Sequence, residues 1–180
     1  MMDPCLVVIT GGPGSGKTSL VEGLAMQGIR TMPEAGRAII RAQHAIGGPA
    51  LPSRDPIAFA EQMLGWELRS YAEAADRPEL TLFDRGIPDI IGHLRLCSLP
   101  VPDHVLTAAR LHRYARRIFL APHWPSIYHG DDERTQSEAE AAATCAIMRR
   151  VYAELGYEVI DLPFVPLSER IAFVRSQLGH

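Results

Sequence analysis

Lysine is almost absent from this chain: seventeen of its eighteen basic residues are arginine, and the exception is Lys17. That scarcity excludes the guanine-recognition motif Asn-Lys-x-Asp, because Lys17 lies between Gly16 and Thr18. An excess of basic charge is missing too. The formal net charge is −3, and the pairs Arg116-Arg117 and Arg149-Arg150 stand alone, so no field for nucleic acid is expected. No apolar stretch approaches the roughly 20 residues that span a membrane. The N-terminus has no basic segment followed by an apolar run and a cleavage site. Cysteine is scarce: Cys5, Cys97 and Cys145 are odd in number and lack metal-ligand spacing. They read as free, buried thiols of a reducing compartment. His112, His123 and His129 likewise lack zinc spacing. These absences predict a cytoplasmic protein without nucleic-acid or membrane partners. No repeat or linker interrupts the 180 residues, which suit one domain, 1–180, with a sizeable core.

What is present is the run Gly11-Gly12-Pro13-Gly14-Ser15-Gly16-Lys17-Thr18, a full match to the phosphate-binding pattern G-x-x-x-x-G-K-[ST]. Glycines let backbone N–H groups curl around phosphate oxygens without a Cβ clash. A compact ammonium serves there as a point charge on the β- and γ-phosphates, a role arginine's planar fork fills badly. The context agrees. Cys5–Thr10 is a short apolar, β-branched run that reads as a buried strand, and Leu20, Val21 and Leu24 share one face of a following helix. That helix aims its positive end at the same oxygens. ATP and Mg²⁺ are the expected cofactors. Gly11, Gly12, Pro13, Gly14, Ser15, Gly16, Lys17, Thr18 and Ser19 form the nucleotide site, with the Thr18 hydroxyl on the metal.

Further strands are expected at 29–32, 80–83, 117–120 and 157–160, separated by helical patterns. One helix begins near Glu34, with Ala35, Ala38, Ile39, Ala42 and Ile46 on one face. Another runs from an Asp55 N-cap and Pro56 to about Ala75. Two more follow Pro88 and Pro102. Ser137-x-x-Glu140 is a capping box for a helix facing inward through Ala141, Cys145, Met148, Tyr152 and Leu155. The last helix carries Leu167, Ile171, Val174 and Leu178. Alternating strands and helices predict a three-layer α/β domain with a five-stranded, mainly parallel sheet, and the glycine-rich run makes it a P-loop NTPase.

Ligands of such sheets gather beyond the carboxyl ends of the strands, which selects the polar residues there. Asp84 ends the third strand, where a carboxylate holds Mg²⁺ or orients a nucleophile; the plainer reading is a turn aspartate before Gly86. Arg85 either clamps an acceptor or pairs with Asp84. Glu34 either takes a proton from an attacking hydroxyl or complements a helix dipole. Arg37, Arg41 and His44 line the face that Glu34 begins. Arg134, in the run Asp131-Asp132-Glu133-Arg134, lies in a segment of about 122–140 that suits a lid. A lid arginine stabilises charge on a transferring phosphoryl group. Trp124 reads as a packing anchor, and Phe164 as a core or loop residue.

Together with Pro33-Glu34-Ala35-x-Arg37, Phe83-Asp84-Arg85-Gly86-x-Pro88-Asp89, Phe119-Leu120-Ala121-Pro122-x-Trp124 and Leu155-Gly156-Tyr157-Glu158, these residues resemble a P-loop family of AAA-type ATPases. That family is related to nucleoside and nucleotide kinases rather than to hexameric machines. The chain is similar, more distantly, to nicotinamide-riboside kinase domains. The Asp84-Arg85 pair resembles the Asp-Arg of thymidylate kinases and the Glu-Arg of deoxynucleoside kinases. The resemblance implies a nucleotide-kinase-like P-loop NTPase fold and an ATP- and Mg²⁺-dependent phosphotransferase. Lys17, Glu34, Asp84 and Arg134 would be catalytic, Thr18 and Asp84 would hold the metal, and Arg37, Arg85 and Asp89 would hold a small polar acceptor. The alternative is a nucleotide-dependent switch or slow ATPase that acts through a protein partner.

Overall fold

The computed structural model describes residues 5–124 and 138–179. Its elements in chain order are β1 (Leu6–Gly11), α1 (Lys17–Met26), β2 (Arg30–Met32), α2 (Ala35–Ile46), α3 (Pro56–Ala75) and β3 (Thr81–Asp84). They continue with α4 (Ile87–Leu96), α5 (Asp103–Leu111), β4 (Arg117–Ala121), α6 (Glu138–Glu154), β5 (Glu158–Asp161) and α7 (Leu167–Leu178). The strands form one sheet in the order β2-β3-β1-β4-β5, and every pairing is parallel. Apolar runs with little alternation suit such a sheet, because helices cover both faces. β1 shows this directly, with all six residues buried.

The sheet separates two cores. Val7 and Ile9 of β1 face Leu20 and Leu24 of α1 and Ile171 and Val174 of α7. Leu6 and Val8 face the other way, toward Phe83, Tyr114, Tyr152 and Tyr157. Helices α3, α4, α5 and α6 close that side through Leu64, Ile90, Ile91, Leu94, Val105 and Val151. Register sets the position of the site. Ile9 lies beside Asp84, and Met32 lies beside Phe83, so β1, β3 and β2 end together. Asp55 caps α3 as expected, its carboxylate accepting from the Ala58 N–H at 2.9 Å.

Three expectations need correction. In α2 the inward face covers only the first turns: Ala35 and Ile39 are buried, whereas Ala42 is exposed and Ile46 is 74% exposed. Gln43 points inward instead, and its amide oxygen accepts from the Ala50 N–H. In α7, Leu167 is exposed and Arg170 is buried. Of the three thiols only Cys145 is buried; Cys5 is exposed and Cys97 half-buried. The Ser137 cap lies outside the described residues. Among the described residues no helix is long and apolar enough to cross a membrane.

Candidate active site

The loop between β1 and α1 turns through left-handed backbone at Gly14 (φ 69°) and Gly16 (φ 72°), conformations that a side chain disfavours. Gly11 is needed for a different reason. A Cβ there would lie 2.4 Å from the carbonyl oxygen of Ala121, so β1 and β4 approach too closely for any side chain. Ser15 fastens the loop to itself by donating its hydroxyl to the Gly12 carbonyl at 2.8 Å. Lys17 opens α1 and is 5% exposed. Its ammonium donates to Asp84 Oδ1 and lies 3.8 Å from Glu34 Oε2.

Glu34 stands two residues beyond β2 at the N-cap of α2. Its Oε1 accepts from Arg85 Nε at 3.0 Å, and its Oε2 lies 4.0 Å from Arg37 Nε. Burial alone would raise the Glu34 carboxyl. The Arg85 and Lys17 cations outweigh it and bring the value down to about 2. Burial likewise opposes charge on Arg85, but Glu34, Asp89 and Asp84 hold the guanidinium firmly protonated. Arg85 therefore pairs with Glu34 and Asp89. The Asp84 carboxylate instead takes Lys17. Arg85 also has φ 74°, an uncommon conformation for a non-glycine residue and one that clusters at functional sites.

Asp89 anchors the arrangement from below. Its Oδ1 accepts from Thr10 Oγ1 (2.5 Å) and Arg85 (3.2 Å); its Oδ2 accepts from Tyr152 OH (2.6 Å) and the Gly86 N–H (3.0 Å). With four donors satisfied, Asp89 is occupied by the fold. Gly86 admits Tyr114, whose ring lies 2.9 Å from where a Cβ would stand, and the Tyr114 hydroxyl accepts from the Ile87 N–H. Arg41 and His44 lie on the exposed far turns of α2, away from this cluster. Arg134 and its acidic neighbours lie outside the described residues.

Two side chains join the site with no forewarning from the motifs. Glu67 of α3 is 4% exposed and has no hydrogen bond or ion pair with a described residue. Burial raises its carboxyl well above the usual range, and the negative charges of Asp89, Asp84 and Glu34 push it further. Its position was legible: Ala60, Leu64, Glu67, Tyr71 and Ala74 repeat every three to four residues on the inward face of α3. Arg170 of α7 is 3% exposed and donates to the Ser15 carbonyl at 2.9 Å.

The donor set suits a hard cation. Thr18 offers a hydroxyl, Asp84 offers a carboxylate, and oxygen ligands of this kind are those of Mg²⁺. Two surface clefts of about 290 and 530 Å³ lie elsewhere, one along Arg30, Trp66, Arg69 and Glu73, the other along Gln27, Arg77 and Arg175.

A family model described as an AAA domain matches residues 6–170. A search of curated proteins finds no match to the chain. Among solved structures, a deoxyadenosine kinase from M. mycoides with the products dCMP and dCDP aligns at TM-score 0.71 and 10% identity, covering 97% of this chain and 98% of that one. The same kinase with bound dATP gives TM-score 0.70 and 12% identity, with 97% and 99% covered. A NadR protein in complex with NAD and AMP-PNP gives TM-score 0.71 and 17% identity, covering 97% of this chain and 49% of that one. The chain thus spans about half of the NadR protein. At these identities the likeness establishes a shared kinase-like P-loop fold.

Proposed function

We propose, from a chain that belongs to the AAA-domain family, an ATP- and Mg²⁺-dependent phosphotransferase acting on a small polar metabolite, a nucleoside or nucleotide being the leading class. The observation that carries this reading is Glu34. Its carboxylate bridges the P-loop lysine and Arg85, so one residue joins the phosphate end of the site to a second cationic end. A loop that only binds nucleotide has no need of that second end. The solved kinases of the same fold bind nucleotides, which supports ATP as the donor.

In this reading the amides of Gly12 to Thr18 and the Lys17 ammonium hold the β- and γ-phosphates. Thr18 and Asp84 hold Mg²⁺, which when bound neutralises charge on those oxygens. Arg85 and Arg37 bind the acceptor, and Asp89, itself saturated, acts by fixing Arg85. The acceptor oxygen forms a bond to the γ-phosphorus as the bridging P–O bond to ADP breaks. Where the acceptor is a hydroxyl, its proton passes to Glu34 or Asp84, the two carboxylates beside the Lys17 ammonium. Arg134, carried by a lid of about 122–140, supplies positive charge to the phosphoryl group in flight. The chain works as one domain, in the cytoplasm.

The test is ADP release by wild type and Lys17→Ala with and without pools of nucleosides, nucleotides and small polar metabolites. Acceptor-dependent ADP release that Lys17→Ala abolishes is expected. Hydrolysis indifferent to every pool, despite tight ATP binding, would favour a nucleotide-dependent switch with a protein partner.

A further inference from the structure

Arg170 is a buried cation with too little around it. It sits on α7, 155 residues from the P-loop residue it touches, and is 3% exposed. No carboxylate among the described residues pairs with it. One guanidinium nitrogen donates to the Ser15 carbonyl at 2.9 Å, and the group lies 5.7 Å from the centre of the Trp124 ring. Its Nε is buried with no hydrogen-bond partner among the described residues. Buried polar groups are nearly always satisfied, and a buried charge is normally paired. An arginine in this condition, fastened to a phosphate-binding loop, has no anion beside it among the described residues.

The contact with Ser15 says how Arg170 acts on the loop. The Ser15 carbonyl is drawn toward α7 by Arg170, while its hydroxyl is tied to the Gly12 carbonyl. A peptide plane held by its carbonyl on one side presents the following N–H on the other. Arg170 therefore orients the middle of the loop and adds a positive charge behind it, close to where phosphates lie. Trp124 forms the outer wall, itself tilted against Phe164 with ring centres 5.3 Å apart.

Building on the nucleotide-binding reading above, we infer that Arg170 is a positioning residue of the phosphate site: through Ser15 it holds the P-loop in its binding form, and from behind the loop its charge favours the polyphosphate of a nucleoside di- or triphosphate. Removing it weakens nucleotide binding even though it is not part of the P-loop motif.

The experiment is calorimetric titration of wild type, Arg170→Gln, Arg170→Lys and Lys17→Ala with MgADP and with magnesium tripolyphosphate, alongside thermal unfolding of each. Glutamine keeps a donor near Ser15 without charge, and lysine keeps the charge. Arg170→Gln should lose about tenfold or more in affinity for both ligands, and Arg170→Lys should recover most of it. The unfolding midpoint of both variants should stay within a few degrees of wild type. Equal binding by wild type and Arg170→Gln overturns the inference. So does a loss confined to ADP, which would place Arg170 at the base instead, or a loss that lysine does not restore. Wild type that binds neither ligand overturns the nucleotide reading itself, so the two failures are told apart.

Discussion

Arg85 donates its Nε–H to Glu34 Oε1 across 3.0 Å, joining residues 51 positions apart that stand just beyond two neighbouring strand ends. The pair has a pH signature. Glu34 titrates at about 2 in the folded chain, against 4.5 for an unperturbed glutamate. It therefore adds stability that is present above pH 4.5 and lost as pH falls toward 2. Over that window the loss amounts to roughly 3 kcal/mol at most. Glu34→Gln should flatten this acid limb, measured as urea midpoints between pH 5 and pH 2. An unchanged limb would mean that the pair does not hold Glu34 anionic.

Tyr152→Phe should loosen the same cluster from the far side. The hydroxyl that donates to Asp89 at 2.6 Å is fully buried, so its loss leaves an acceptor short of a donor. A cost of about 1–3 kcal/mol is expected. Because Asp89 also holds Arg85, acceptor-dependent turnover should fall while ATP affinity stays near wild type. Denaturant unfolding and kcat/KM for each substrate check the two parts. A fall in ATP affinity alone would detach Asp89 from the acceptor side.

Glu67→Gln should stabilise the protein, and more so as pH rises. The buried carboxyl of Glu67 titrates above its unfolded value. Its contribution is fully present below about pH 4.5 and declines as pH climbs toward the folded pKa, because only the unfolded chain releases the proton easily. Glutamine has the same shape and no charge to bury. The difference in unfolding midpoint between variant and wild type should therefore be larger at pH 8 than at pH 5. A difference independent of pH would show that Glu67 is not a strained acid.

Arg134→Ala should lower kcat more than it weakens ATP binding, as expected for a charge used in the transition state. Single-turnover rates and nucleotide titrations separate these. The opposite pattern would assign Arg134 to ground-state binding.

The parts of the site that lie close in sequence were legible as sequence. The P-loop is one run of eight residues, and Glu34 and Asp84 are marked by the strands they follow. The order of strands placed them side by side, which register confirms through Met32–Phe83 and Ile9–Asp84. What was hidden depends on packing across long separations. Thr10 and Tyr152 meet on Asp89 from β1 and α6, and Arg170 reaches Ser15 from the last helix. No spacing announces such contacts. The second half of α2 misled for a related reason. Its apolar periodicity continues to Ile46, but Ala42 and Ile46 are exposed, and Gln43 turns inward to serve the Ala50 N–H instead. Glu67 is the reverse case: a carboxylate in the apolar stripe of α3 is visible in the sequence, and such a position marks a buried acid.

The burial of Lys17 has a practical side. A protease that cuts only after lysine finds one target in all 180 residues, and that target is 5% exposed at the first position of α1. Cleavage into fragments 1–17 and 18–180 therefore requires the chain to open at the phosphate loop. When closing outpaces cutting, the rate of appearance of those two fragments measures the fraction of time that one place spends undone. The protein contains its own single-site gauge of local unfolding.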